Sequence, residues 1–256
     1  MVSGLQEVDL HGLALFDAAF SAWECTTEHA DQPKDFLAVI AGLRTSLEAA
    51  ALSRWLLGDD THPDERLTRL ADLVLDDLHQ QAATRSARAE AAGIDPASVP
   101  DLEGLHAAKE AVVETMTRRL QRSPRADPVL RFGLSTKPVS VSALISRLMS
   151  DPELPKLQRR NVGRVAYKML SAPAHASVSA IRSVYAPDIV SVDAMLLTRR
   201  RPSHQQVGES LYAAGLGLLR AQVCAGSRFG WEDDPYFAAR LQEIADSVSP
   251  DEPGYP

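Results

Sequence analysis

Residues 33–57 constrain the fold more than any other part of the chain. Their apolar side chains recur every three or four positions, at Phe36, Ile40, Leu43, Leu47 and Ala50. This interval places them along one face of an α-helix, which turns once in about 3.6 residues. The segment therefore predicts a long amphipathic helix with one face turned to a core.

The same periodicity returns through most of the chain. Helical patterns cover residues 5–28, 63–90, 102–120, 139–149, 161–170, 178–185 and 202–224. Aromatic residues make up only 5% of the sequence, while Ala and Leu are frequent, a composition typical of helices that pack through small and aliphatic side chains. Residues 190–197 satisfy neither the helical nor the strand period, and helix is favoured because no partner strand is evident elsewhere. We predict an all-α, multi-helix bundle of long antiparallel helices with no sheet.

The chain of 256 residues is long enough for one large helical domain or two small ones. Three prolines and a glycine fall between residues 123 and 139 and mark either an internal boundary or a long loop over the core. The sequence leaves these alternatives open. We predict a single helical domain over residues 1–249, with that boundary or loop inside it, and a disordered tail over residues 250–256.

The helix that begins at Pro63 changes character halfway along its length. From Ala82 to Ala92 its only apolar residues are alanines. A core-facing helix usually carries larger apolar side chains on its buried face. We therefore predict that residues 82–92 form a solvated extension of the helix rather than part of the core.

Composition disfavours several classes of function. The net charge of −7 argues against a general electrostatic affinity for nucleic acid. Cys25 and Cys224 stand far apart and predict neither a disulfide framework nor a zinc site. The chain has no apolar run of about 18 residues and no signal-peptide pattern at its start, so we predict a cytoplasmic protein with no membrane partner. Its frequent Ala, Arg, Asp and Pro are typical of a bacterial genome of high GC content.

Standard catalytic and metal-binding patterns do not stand out. The sequence contains no glycine-rich phosphate loop, no nucleophile elbow, no HExxH and no CxxC. Di-iron helical bundles use a Glu-x-x-His on each of two helices. We interpret Asp76-x-x-His79 as the nearest approach to that pattern and as an isolated one. The sequence therefore predicts no metal site and no cofactor.

The densest group of candidate catalytic residues is Tyr167, Ser171 and His175, which follow one another at intervals of four. Tyr167 and Ser171 fall one turn apart on a predicted helix, and Pro173 ends or kinks that helix before His175. A Ser–His pair also needs a third group to orient the imidazole, and the sequence offers none. We favour a buried hydrogen-bond network that fixes the helix junction.

Four residues of the helix over 33–57 are candidate binding residues: Arg44, Glu48, Arg54 and Trp55. Arg44 and Glu48 are four positions apart and form a helical ion pair. Arg54 projects from the apolar face, so its charge must either be paired or extend to solvent at the helix end. We favour the second alternative because the helix stops about one turn later.

Two segments carry a resemblance to a known family. The pattern Tyr-x-x-Leu-Ser-x-x-x-His at 167–175 follows Leu-Arg-x-x-x-Glu-Ala-Ala at 43–50 and Arg-Trp-Leu-Leu at 54–57. Together these segments resemble a family of bacterial all-helical proteins. The layout is similar to that of the higher-eukaryote and prokaryote nucleotide-binding (HEPN) superfamily, whose helical bundles often dimerise and act as ribonucleases in toxin or defence systems. The resemblance implies a helical bundle, a homodimer and RNA as a substrate.

Active members of that superfamily carry an Arg and a His, four to six residues apart, on one helix. Arg199-x4-His204 matches that spacing, although Pro202 interrupts the segment and places His204 at a helix start. If the resemblance holds at this site, His204 acts as general acid or base and Arg199 holds a phosphate.

Three functions therefore stay open. The favoured one is a structural or interaction module, in a defence or toxin-like context, that dimerises through its glycine-containing last helix. The second is a HEPN-like ribonuclease that uses Arg199 and His204 or the segment 167–175. The third is a small-molecule-binding bundle whose pocket is formed by Glu48, Arg54, Tyr167, Ser171 and His175.

Overall fold

A computed structural model describes most of the chain. The described residues are 2–28, 36–58, 62–120, 140–150, 163–168, 170–171, 185–192, 195–202 and 204–231, with the single positions 235, 238, 239 and 242. Helix dominates these residues, which confirms the predicted all-α class. None of the helices in these segments combines the length and the apolar surface that crossing a bilayer would need.

Apart from the single helical positions 235, 238, 239 and 242, the described residues contain seven α-helices and one short 3-10 helix. In chain order they are α1 (Val2–Thr27), α2 (Phe36–Leu57), α3 (Pro63–Ala91), the 3-10 helix (Pro96–Ser98), α4 (Pro100–Leu120), α5 (Val141–Leu148), α6 (163–168 with 170–171) and α7 (His204–Phe229). The predicted helices over 5–28, 63–90 and 102–120 match α1, α3 and α4 closely, and the helix predicted over 139–149 includes α5.

Two antiparallel strands are the exception to the helical fold. Strand β1 covers Tyr185–Val192, strand β2 covers Met195–Pro202, and the two pair with each other along their whole length. The prediction that the chain contains no sheet was therefore wrong for this segment. The helix predicted over residues 190–197 was wrong as well.

Local composition explains the hairpin. Strand β1 contains Ile189, Val190 and Val192, whose branched Cβ atoms favour extended backbone. Only residues 193 and 194 separate the strands, and a connection of two residues is the commonest one in β-hairpins. The partner of β1 is therefore the next segment of the chain, not a distant one as the prediction assumed.

The chain divides into two compact units. Unit 1 comprises residues 1–11 and 60–139, and unit 2 comprises residues 12–59 and 140–256. The boundary after residue 139 follows the stretch 123–139, for which the sequence predicted an internal boundary or a long loop. That stretch lies outside the described residues, as does the tail 250–256, and the single domain over 1–249 stays a prediction.

In unit 1, α3 and α4 run in opposite directions side by side. Near the end of α4, a side-chain nitrogen of Arg119 lies 3.7 Å from an oxygen of Asp64 at the start of α3. Late in α3, Arg85 lies 3.3 Å from Asp101 at the start of α4. Because each pair joins the beginning of one helix to the end of the other, the helices are antiparallel, as the sequence predicted.

The alanine-rich half of α3 takes part in this helix pair. Ala82 and Ala89 are 7% and 6% exposed, and Ala82 packs with Leu102 and Leu105 of α4. The prediction of a solvated extension over residues 82–92 was therefore wrong at these two positions. An alanine methyl group is buried when a facing helix contributes a larger side chain over it. A helix segment without large apolar residues is therefore not necessarily exposed.

In unit 2, α2 packs against α5 and α7. The predicted apolar face of α2 is buried, with Ile40, Leu43, Leu47 and Ala50 each 2% exposed or less. This confirms the helix that the periodicity of residues 33–57 predicted. Burial of such a face contributes about 25 cal/mol per Å² of apolar surface, so it is a main source of stability for the unit.

Two glycines allow helices of unit 2 to approach closely. A Cβ added at Gly217 of α7 would lie 2.5 Å from Leu47 Cδ1. A Cβ added at Gly163 of α6 would lie 2.7 Å from the Ile145 carbonyl oxygen and closer still to Ser146 Cα. Since Ile145 and Ser146 contribute backbone atoms, α6 rests directly on the backbone of α5.

The contact at Gly163 predicts the effect of an added methyl group. We expect Gly163→Ala to lower the free energy of unfolding by about 1–3 kcal/mol, because α5 backbone atoms cannot move aside as a side chain does. In the control Gly208→Ala the added Cβ has no atom within 4 Å. Because alanine favours a helix more than glycine does, the free energy of unfolding should stay unchanged or rise slightly. Urea unfolding followed by circular dichroism compares the two variants. Equal midpoints would contradict the contact between α6 and α5.

Candidate functional site

Helices α2 and α6 bring together three of the sequence-predicted residues: Arg44, Glu48 and Tyr167. Arg44 Nε donates to Glu48 Oε1 at 2.7 Å, one turn along α2. The guanidinium carbon of Arg44 lies 5.8 Å from the centre of the Tyr167 ring, within the range of a cation–π interaction. The Arg44 and Glu48 side chains are 21% and 28% exposed. The cluster is therefore a partly buried contact between α2 and α6.

Glu48 stabilises the charged form of Arg44. The pKa of Arg44 is raised above its ordinary value, chiefly by the hydrogen bond to Glu48, and Tyr167 acts in the same direction while burial opposes it. When folding raises the pKa of a cationic group, the charged group stabilises the fold at lower pH. This stabilisation is lost only as the pH rises through the raised pKa. Because an arginine stays ionised far above physiological pH even without this shift, its charge is constant at any physiological pH.

Arg54 donates hydrogen bonds to the C-terminal end of α5. Its Nη1 donates to the carbonyl oxygen of Leu148 at 3.1 Å and lies 3.4 Å from that of Arg147. Arg220 of α7 donates to the same Leu148 oxygen at 2.9 Å. Carbonyls in the last turn of a helix lack intrahelical partners and form the negative end of its dipole. Two guanidinium groups thus cap α5, and the favoured prediction that Arg54 extends to solvent was wrong.

The remaining candidates of this region are only partly described. Trp55 is half-buried beside Arg54 on α2, and Ser171 is half-buried at the end of α6. His175 lies outside the described residues, so the joint site of Tyr167, Ser171 and His175 stays a prediction. The structure does bring Tyr167 to Arg44 and Glu48, which sequence spacing alone did not show.

Arg199 and His204 lie on different elements. Arg199 belongs to β2, where its Cα pairs with that of Asp188 on β1. His204 is the first residue of α7, which confirms its predicted position at a helix start. Both side chains lie outside the described part of the structure. The HEPN arrangement requires both residues on one helix, and the backbone does not meet that requirement.

A groove in unit 1 was missed by the sequence analysis. It lies between α3, the 3-10 helix and α4, has a volume of about 890 Å³, and its polar lining residues are His79, Ser86, Glu103, His106 and Lys109. A signal was present, because Glu103-x-x-His106 on α4 repeats the spacing of Asp76-x-x-His79 on the facing helix α3. The interpretation of Asp76-x-x-His79 as isolated was therefore wrong.

Matched spacing on two helices does not by itself make a metal centre. Among the side chains that the structure describes, no three His, Cys, Asp or Glu groups come close enough to hold a metal ion. A helical metal site needs its ligands to converge within direct bonding distance. The lining of the groove therefore suits an organic ligand better than a metal ion.

No protein-family model, no curated protein and no solved structure matches this chain. The resemblance to a bacterial helical family and to the HEPN superfamily accordingly stays a prediction from the residues at 43–57 and 167–175. The function has to be inferred from the contacts and surfaces of the chain itself.

Replacing Arg54 and Arg220 by methionine tests the capping of α5. Each single substitution leaves the Leu148 carbonyl with one donor, and we expect a loss of about 1 kcal/mol in the free energy of unfolding. The double variant leaves it with neither. Because Leu148 is only 1% exposed, water is a poor substitute, and the loss should exceed the sum of the two single losses.

Urea unfolding of the wild type, both single variants and the double variant gives the coupling energy. Arg164→Met is the matched control, since Arg164 is an exposed arginine of α6 and its replacement should change stability by less than about 0.5 kcal/mol. Strictly additive losses would show that the two guanidinium groups do not share the Leu148 carbonyl in solution.

Proposed function

We propose that the chain is a non-enzymatic interaction module whose last helix, α7, binds a second copy of the same chain. The observation that carries this proposal is that α7 has apolar surface on two opposite sides. One side is covered within the chain and the other is exposed. The bacterial origin and the cytoplasmic setting predicted from the sequence belong to the same proposal.

The inner side of α7 is fully used within the chain. Ala214, Leu218, Ala221 and Ala225 are all 0% exposed, and Gly217 lies against Leu47 of α2. The sequence suggested that glycines of this helix form the dimer contact. Since Gly217 is already in contact within the chain, we assign the dimer contact to the opposite side.

The outer side of α7 carries a line of exposed apolar residues. Tyr212 and Val223 are 53% and 57% exposed, and they are eleven residues apart, about three helical turns. Leu216 and Leu219 fall between them on the same side and are half-buried. In the sequence from Tyr212 to Val223 the only charged residue is Arg220, which reaches back to Leu148. We call Tyr212, Leu216, Leu219 and Val223 the outer line.

A helix that is apolar around its circumference is normally buried, so the outer line favours a partner. In a two-fold symmetric contact with the helices antiparallel, Tyr212 of one copy lies against Val223 of the other, and every apolar residue meets another one. The line is about 17 Å long, which is short for an obligate dimer interface. The expected dimer is therefore weak and depends on concentration.

The other two functions have less support from the described residues. In its Arg199–His204 form, the ribonuclease alternative needs both residues on one helix, yet the former is on β2 and the latter opens α7. The pocket proposed around Arg54 is disfavoured because Arg54 donates to carbonyls of α5. The polar residues of α2 hold neighbouring helices in place, which favours a structural function for them.

Sedimentation equilibrium tests the proposed dimer with the full chain. Over about a hundredfold range of concentration, the average mass of the wild type should rise toward twice the monomer mass. Val223→Glu should remain monomeric, because it would place two carboxylates in an apolar contact. Val165→Glu is the matched control, as Val165 is 53% exposed on α6, and it should dimerise like the wild type. A constant monomer mass, or a dimer that Val223→Glu leaves intact, contradicts the proposal.

An RNA cleavage assay tests the absence of catalysis. Wild type, His204→Ala and His175→Ala should all leave a single-stranded RNA intact, because Arg199 and His204 do not share one helix. Cleavage by the wild type that disappears in His204→Ala or in His175→Ala would overturn the non-enzymatic proposal and favour the HEPN-like alternative. Cleavage that all three proteins share at the same level points to a contaminating nuclease and leaves the expected outcome in place.

A further inference from the structure

We propose that the groove of unit 1 binds a small amphiphilic carboxylate, with the carboxylate beside His79, His106 and Lys109 and the apolar body along the alanines of α3. This site is independent of the dimer contact proposed for α7, because none of its residues lies on that helix. It rests on the shape of the groove, on the end-to-end distribution of its polar groups, and on its charge.

The shape of the groove suits a small organic ligand. Its volume of about 890 Å³ falls within the range of about 300–1,000 Å³ that is usual for such sites. The walls are mainly apolar, with Ala82 and Ala83 from α3, Ala97 from the 3-10 helix, Val99 just before α4 and Leu102 within α4. The groove stays open at its centre because α3 presents the methyl groups of Ala82 and Ala83 there, opposite the larger side chains of α4.

The polar groups are concentrated toward one end of the groove. The contact between Arg85 and Asp101 fixes how the antiparallel helices face each other. His79 precedes Arg85 by six residues, or about 9 Å along α3, and Lys109 follows Asp101 by eight residues, or about 12 Å along α4. Both therefore lie on the same side of that pair. His106 precedes Lys109 by about one turn and lines the same end.

The opposite end of the groove is closed by the connection between the helices. Pro96 and Ala97 of the 3-10 helix line it, and the Asp95 carboxylate is engaged by the Ala97 backbone N–H at 3.0 Å. Ser86 is the polar side chain that α3 contributes on this side, and its hydroxyl lies 3.4 Å from Glu90 Oε1. An apolar tail therefore fits here better than a head group does.

The charges at the polar end favour a monoanion. Lys109 carries three N–H donors, and each imidazole offers at least one N–H donor whichever tautomer it adopts. These donors match the two oxygens of a carboxylate, and hydrogen bonds to an ionised group are among the stronger ones. Glu103 is the one acid in the lining and lies six residues before Lys109, about 9 Å along α4. The single cation at the polar end therefore matches a monoanion better than a dianion such as a phosphate monoester.

Calorimetric titration of the full chain with decanoate, well below its micelle concentration, tests the site. We expect saturable binding with one ligand per chain. Ala83→Trp should weaken binding at least about tenfold, because an indole would occupy the groove. Ala83 is exposed, so the substitution removes no buried contact. Ala87→Trp is the matched control: Ala87 is exposed on the same helix but does not line the groove, and binding should stay unchanged.

A second pair of measurements tests the head group. Lys109→Gln should weaken decanoate binding about tenfold or more, since it removes a charge-assisted hydrogen bond. It should leave the weaker binding of decanol unaltered. Unfolding midpoints of all variants show whether the fold is retained.

Three results would overturn the inference. One is the absence of decanoate binding by the folded wild type up to about 1 mM, the weak end of the affinity scale. Another is binding that the folded Ala83→Trp variant retains in full, which would place the ligand elsewhere. The third is equal affinity for decanoate and decanol, which would show that the polar end of the groove does not contribute to binding.

Discussion

Unit 2 depends on how three helices meet at the C-terminal end of α5. The Leu148 side chain is 1% exposed in the core, while its carbonyl oxygen accepts hydrogen bonds from Arg54 of α2 and Arg220 of α7. The same leucine would lie 3.2 Å from a Cβ at Gly217. Polar capping and apolar packing therefore meet at one residue, and a change in any of the three helices alters the position of the other two.

Two arginines on α2 show how the surroundings decide what a cation does. Arg44 contacts a carboxylate on its own helix and an aromatic ring on α6. Its charge is therefore neutralised locally, and its side chain links the two helices. Arg54 finds helix-end carbonyls, whose partial negative charge compensates it without an acid. Neither cation is directed at a solvent-filled cleft in these contacts, which is why a structural function for α2 is the more economical interpretation.

The sequence was sufficient where the determining contacts are local. The face formed by Ile40, Leu43 and Leu47 follows from helical periodicity alone, and the i,i+4 pair of Arg44 and Glu48 follows from spacing. The capping by Arg54 was not predictable, because its acceptor carbonyls lie 93 and 94 residues further along the chain. The hairpin was predictable in principle from its β-branched residues, but it was missed because a distant partner strand was sought.

Small residues have opposite consequences in the two units. In unit 2, Gly163 and Gly217 are places where another helix has come so close that a methyl group would not fit. In unit 1, Ala83 faces open space in the groove, so a larger apolar side chain there would bury additional surface and would be expected to stabilise the fold. Close packing explains the glycines of unit 2 without any ligand. It does not explain the space beside Ala83, and a bound apolar tail does, because the ligand supplies the burial that the alanine lacks.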